Sequence, residues 1–274
     1  MKKKMLWMVA AAFLAGGCNG DGKKAGELLA RAEASFAEGD YNTSKLRIDS
    51  IRTLYPKAFE VRKAAVGLMQ RVELDEQQKT LTYLDSMLVQ KQASLDSIRG
   101  EFVLEKDTAY QEIGNYFYPT QVVEKNIGRS FLRAQVNERG EMSLTSIYCG
   151  GSIHHTSVKV SVDGDTYAQT PMSTDSYEST DLGRAVEKAD YKLGADGGVV
   201  AFIMAHQDKK SLRLEFVGDR HFKTVMQPSD VKAIVAVSEL ARILSAMEEI
   251  RQQQKDAQLK IRFVQRKMQE REQE

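Results

Sequence analysis

The residues best suited to chemistry are few and scattered. Cys149, His154 and His155 lie close together, and His206 and His221 complete the histidines. A zinc site needs nitrogen or sulfur ligands converging as a tetrahedron. Adjacent His154 and His155 would point to opposite faces of a strand. No C-x-x-C or H-x-x-x-H pair occurs. The cluster therefore predicts a polar loop after a strand, and neither a metal nor another cofactor is expected. Asp163-Gly164-Asp165 sets two carboxylates around a glycine. The other ligand positions of a calcium loop are missing, so a hairpin turn is predicted there. Tyr110, Tyr116, Phe117, Tyr118 and Phe131 form an aromatic cluster. Exposed rings can stack on sugars, which makes Tyr110, Tyr116 and Tyr118 the candidate ligand contacts. The competing reading is core packing where helical flanks meet a central β-segment.

Ser229-Asp230-Val231-Lys232 has the S-x-x-K spacing. It is similar to the motif of penicillin-binding proteins and serine β-lactamases, where lysine assists deprotonation of the serine. The companion S-D-N is missing. Lys223-Thr224, the Lys-Thr pair on a plausible strand, precedes the motif and is followed by Val225 rather than glycine. Ser229 is instead expected to cap a helix. No G-x-S-x-G, phosphate-loop or dinucleotide fingerprint appears, and Gly194-Ala195-Asp196-Gly197-Gly198 reads as a turn. No catalytic residue is assigned, and an enzyme is not the expected reading.

Composition sets outer bounds. The 274 residues carry 39 Lys+Arg and 38 Asp+Glu, a formal charge of +1, so no basic surface argues for a nucleic-acid partner. With 42% hydrophobic and 28% charged residues, the chain is neither disordered nor multi-spanning. One or two domains fit this length.

The N-terminus reads as an address. Lys2, Lys3 and Lys4 precede an apolar run from Met5 to Leu14, too short to span a membrane. Ala15, Gly16 and Gly17 then lead to Cys18. Residues 1–17 resemble a bacterial lipoprotein signal peptide, which implies cleavage before Cys18 and a lipid on its thiol. Removing three lysines takes the formal charge from +1 to −2. Residues 18–23 would be a polar tether. Asn19 is not the aspartate associated with inner-membrane retention, so the resemblance leans towards the outer membrane. Lipidation of Cys18 would leave Cys149 without an intramolecular disulfide partner.

Proline and glycine divide the rest. The four prolines are Pro56, Pro119, Pro171 and Pro228, and eleven of nineteen glycines lie from Gly114 to Gly218. Both residues punctuate turns and are costly inside helices, so the middle is turn-rich and the flanks helical. In residues 24–56, Ala34, Phe36, Gly39, Asp40, Tyr41, Ile48, Ile51 and Pro56 follow a small, aromatic, turn, apolar and closing order. This segment resembles one tetratricopeptide-type helical hairpin, which implies protein binding, without a second clear copy. Residues 57–108 read as one long helix, with Leu81, Leu84, Leu88, Leu95, Ile98 and Phe102 in a heptad seam. Residues 228–274 carry Leu240, Met247, Gln254, Ile261 and Met268 at a, with Ile243, Ile250, Ala257 and Val264 at d.

Two flanks of equal length around an insert predict an antiparallel coiled-coil stalk, each helix roughly 68 Å long. The alternative is a homodimer through the coiled coil. The insert, 109–227, shows hairpin signals at Asn137–Gly140, Asp163–Asp165 and Gly218-Asp219. Val199–Ala205 reads as a later strand, and Asp181–Tyr191 as a short helix or an irregular crossing. The expected fold class is α+β: an N-terminal helical hairpin and a long two-helix stalk carrying a small antiparallel β-sandwich or barrel. The expected function is that of a non-catalytic cell-envelope lipoprotein, membrane-bound through Cys18, that scaffolds or binds an envelope protein. The alternative is a glycan- or envelope-polymer-binding lipoprotein that uses the Tyr-rich edge.

Overall fold

The computed structural model describes residues 17–163, 165–181, 184–209 and 211–273. The signal-peptide segment before Gly17 and the side chain of Cys18 lie outside the described residues. The chain is α+β and divides into two compact units, Met1–Ser86 with Gln252–Glu274, and Met87–Arg251.

The first unit is helical. α1 (Gly17–Ala37) and α2 (Tyr41–Leu54) form a hairpin, and the expected tether, residues 18–23, lies within the first turns of α1. Gly39 takes a left-handed φ of +79° in the turn, a conformation that costs glycine little. Asp40 caps α2 by accepting the Thr43 N–H at 3.0 Å. Tyr41 packs back on Phe36, with ring centroids 6.3 Å apart. α3 (Phe59–Ile98) begins in this unit, and residues near its middle meet the start of α2: Tyr41 Oη donates to Asp75 at 2.6 Å, and Lys45 pairs with Glu76 at 2.8 Å. Ala25, Ala32, Ile48, Ile51, Leu68 and Val72 are buried together at the centre. The C-terminal part of α5 (Pro228–Glu272) lies along α3. Gln254 Nε2 donates to Asp85 at 2.6 Å, and the Arg271 guanidinium lies over Gly67. As numbers rise along α5 they fall along α3, so these segments run antiparallel.

The second unit holds two antiparallel sheets. The larger has the order β1 (Val103–Glu105), β2 (Asn115–Phe117), β3 (Phe131–Asn137), β4 (Met142–Gly150), β8 (Arg184–Lys192), β7 (Ser176–Asp181). The smaller has the order β10 (His221–Val225), β9 (Arg213–Val217), β5 (Ser157–Asp163), β6 (Thr166–Gln169). Neither closes into a barrel, which corrects that part of the expectation. Alternation along β3 turns Leu132, Ala134 and Val136 inward. They share one core with Val160, Leu214 and Phe216 of the small sheet, and with Ile234, Leu240 and Met247 of α5. Helices thus supply part of a core that a pure sandwich would fill with sheet residues.

The three expected hairpins form at β3–β4, β5–β6 and β9–β10. Gly164, in the middle turn, is outside the described residues. Gly140, at φ +85°, closes the first hairpin against α5. A Cβ there would lie 2.1 Å from the Ser245 backbone nitrogen.

Several boundaries and elements differ from expectation. The first long helix stops at Ile98 and passes through a 3-10 turn, Arg99–Glu101, into β1. The segment expected as a short helix or crossing is largely β8. Val199–Ala205 is a helix, α4, not a strand. A seven-residue apolar run has no decisive period; here Asp196 Oδ2 accepts the Val200 N–H at 2.8 Å and ties down the first turn. Ser229 is not the N-cap. Pro228 is the first residue of α5, and Gln227 O accepts the Asp230 N–H at 2.9 Å.

Candidate functional site

The helical unit carries an open groove of about 540 Å³. Its floor is one stripe of α3, with Phe59, Val66 and Met69 between Arg62, Lys63 and Gln70. One wall is α2, through Ile48, Asp49 and Arg52; the other is α5, through Phe263, Val264 and Lys267. Helical spacing sets each stripe, because residues three or four apart share a face. Burial of Ile48, Ala65 and Val264 fixes the groove's base, whereas Phe59, Val66 and Phe263 remain 71%, 51% and 53% exposed. Apolar side chains grouped at this exposure mark a surface for contact more than isolated ones do. Four cations line the groove, Arg52, Arg62, Lys63 and Lys267, against two carboxylates, Asp49 and Glu73. Arg52 lies 3.5 Å from Asp49, and Lys267 lies 2.8 Å from Glu270. The groove can bind apolar side chains flanked by negative charge.

The mixed unit contains a different constellation. Ser146 Oγ lies 2.8 Å from His155 Nε2, and His155 Nδ1 lies 2.8 Å from Glu187. β4, the segment before β5, and β8 bring them together. Glu187 also accepts backbone N–H groups from Ile153 (2.6 Å), His154 (2.9 Å) and His155 (2.8 Å). Burial alone would raise the Glu187 pKa, but these donors and the imidazole outweigh it and hold the carboxyl at about 2. Burial pushes the His155 pKa below the usual imidazole value against the opposing pull of Glu187. A neutral His155 that donates from Nδ1 to Glu187 accepts the Ser146 hydroxyl proton at Nε2. The order Ser–His–Glu matches a hydrolytic triad in connectivity. Ser146 is fully buried, and its Oγ also contacts Ala189 O (3.3 Å) and Tyr191 Oη (3.4 Å). Ser146 is thereby closed off from solvent. The network acts as a buried clamp on residues 153–155.

The sequence-predicted residues are dispersed. Tyr116, one of the three expected ligand contacts, is a core residue, 5% exposed. Tyr118 packs against the same core, edge-on to Phe102. Tyr110 is 89% exposed in the loop between β1 and β2. The three do not form a stacking face. His154 and His155 do point apart: His155 is buried, whereas His154 is exposed and 2.9 Å from Asp219. His206 closes α4 on Phe202 O at 2.9 Å, and His221 pairs with Glu215 at 2.7 Å. Cys149 packs with Phe131, Ile147 and Val186 on the outer face of the large sheet. Among the described residues no group of His, Cys, Asp and Glu is placed to hold a metal ion. Ser229 and Lys232 do not meet. The serine contacts Gln227, and Lys232 lies over the Tyr118 ring at 5.7 Å. Asp230 between them is engaged by Arg129.

Sequence reasoning missed Ser146 and Glu187, which lie in strands whose pairing no local pattern reveals. It also missed the groove, although Phe59, Val66 and Phe263 lie in predicted helices. Their exposure depends on where α2 and α5 leave α3 uncovered. Among the described residues no helix is long and apolar enough to cross a membrane. Comparison with known proteins gives no relative: no family model, no curated protein and no solved structure matches the chain.

Proposed function

We propose that this chain is a non-catalytic, lipid-anchored protein of the bacterial cell envelope that binds a partner protein. One observation carries the reading, the open groove with Phe59, Val66 and Phe263 at its surface. Its occupant is an apolar segment of a partner protein with acidic flanks, because cations outnumber carboxylates around it. The anchor is the lipid that the signal-like N-terminus implies at Cys18, in the outer membrane by the sorting argument at Asn19. On this reading α3 and α5 pair as a coiled coil. Burial of Leu84 and Leu95 on α3, and of Ile243, Met247, Ile250, Ala257 and Val264 on α5, supports that seam. The antiparallel contacts of Gln254 with Asp85 and of Arg271 over Gly67 favour pairing within one chain over a dimer. The glycan reading loses Tyr116 to the core.

Photocrosslinking in the native cell tests this. A crosslinker at Phe263 should yield one discrete adduct whose cross-linked peptide is apolar with acidic flanks. The adduct should disappear on Val66→Glu. Crosslinks only to lipid or to the same chain would sink the reading. Replacing Cys18 with serine should move the protein out of the membrane fraction.

A further inference from the structure

We infer that the segment received by this groove is an amphipathic α-helix of about four turns that carries carboxylates beside its apolar face. The inference rests on the proposed protein-binding role and specifies the occupant.

The first argument is backbone satisfaction. The floor and both walls of the groove are α-helices, in α3, α2 and α5. Within each helix the N–H and C=O groups pair with one another, and at the start of α3 the Phe59 N–H donates to Lys57 O at 3.0 Å. An extended peptide would find no strand edge here to complete its own hydrogen bonds, and burying unpaired peptide groups is costly. A helix arrives with those groups satisfied and contributes only side chains.

The second argument is size and spacing. The floor runs from Phe59 to Glu73 on α3. At 1.5 Å per residue this stripe is roughly 21 Å long, or about four helical turns. Phe59, Val66 and Met69 follow the i, i+7, i+10 spacing of one helical face. Another helix can lay its own ridge into the groove beside such a row. Ala65 is 3% exposed at the base, and its small side chain lets a neighbouring backbone approach closely.

The third argument is charge. Arg62 and Lys63 flank Phe59 and Val66, and Arg52 and Lys267 sit on opposite walls. A helix with glutamates on both sides of a leucine face would meet cations along both edges. A helix with lysines there would meet like charge.

Synthetic peptides test the inference on the full chain in mild detergent. The probe is an 18-residue peptide with leucines at i, i+3, i+4 and i+7 spacing and glutamates on the flanks. One control has a central proline, and another has lysine for every glutamate. The first peptide should bind and gain helical circular dichroism. The proline and lysine peptides should bind about tenfold more weakly or worse. Lys63→Glu should weaken the first peptide by about fivefold at low salt, and the difference should shrink in high salt. Val66→Glu should abolish binding while thermal unfolding stays unchanged, because that side chain is half exposed. Equal binding of the helical and proline peptides, equal binding of the glutamate and lysine peptides, or no binding at all overturns the inference. Binding of phosphatidylglycerol vesicles by the full chain, lost on Val66→Glu, would overturn it in favour of a lipid surface. A protein crosslinked at Phe263 through a non-helical segment would overturn it and leave the protein-binding role standing. Absence of any protein crosslink would remove both.

Discussion

His155 Nδ1 lies 2.8 Å from the Glu187 carboxylate, and both side chains are buried. The same carboxylate gathers the backbone N–H groups of residues 153–155. The connection from β4 to β5 is therefore held by one anion in β8. Glu187→Ala should destabilise the mixed unit by about 3–5 kcal/mol, because the donors lose their acceptor inside the protein. Denaturant unfolding at neutral pH checks this.

The same pair sets a pH dependence. Glu187 has a folded pKa of about 2, below its ordinary value of 4.5. Its stabilising contribution is complete above pH 4.5 and is lost as pH falls towards 2. His155 is also shifted down, so the folded state resists its protonation. Stability from that group is present above pH 6.5 and declines as pH falls below it. The contribution of this pair to the unfolding free energy should therefore fall on acidification from pH 7. The His155→Gln variant should lack the part of the fall that begins near pH 6.5.

Arg129 grips Asp230 through two bonds, 2.9 and 2.7 Å long, and Asp230 is almost completely buried. The pair ties the loop before β3 to the first turn of α5. Asp230→Ala leaves a partly buried guanidinium without its anion and should cost roughly 2–4 kcal/mol. The double variant with Arg129→Met should recover part of the loss. Thermal melts of the single and double variants measure the coupling.

Gly140→Ala should be among the most damaging single-methyl additions. The backbone is left-handed there, and the new Cβ would fall against the α5 backbone at Ser245. Backbone cannot move aside as a flexible side chain can. A loss of at least about 2 kcal/mol is expected. Gly20→Ala, with open space around it, should be neutral or slightly stabilising.

Gln254 places an amide at a heptad a position and donates to Asp85 at 2.6 Å. Polar residues in such seams fix register at some cost in stability. Gln254→Leu should stabilise the helical unit by roughly 1 kcal/mol, seen as a higher melting temperature. Loss of stability instead would mean that the Asp85 bond outweighs the gain in apolar burial.

The sequence by itself determined the long helices and three of the hairpins. Signals such as the Gly39-Asp40 turn, the heptads of α3 and α5 and the Asn137–Gly140 turn act within a few residues. Their physics is local: a period, a cap or a left-handed turn. Tertiary structure decided the rest. Val199–Ala205 is too short to show a period, and its place against the core made it a helix. Gln121 is fully buried because its amide continues the β3 ladder where β2 has ended, donating to Leu132 O and accepting from Ala134 N–H, both at 2.8 Å. Nothing around Gln121 in sequence announces that role. Tyr116 was indistinguishable by type from Tyr110, and only the pleat of β2 turned the first inward. The groove depends on α2, α3 and α5, whose contributing residues are far apart in the chain. Periodicity specifies which face of a helix is apolar; chain packing decides whether another helix covers it.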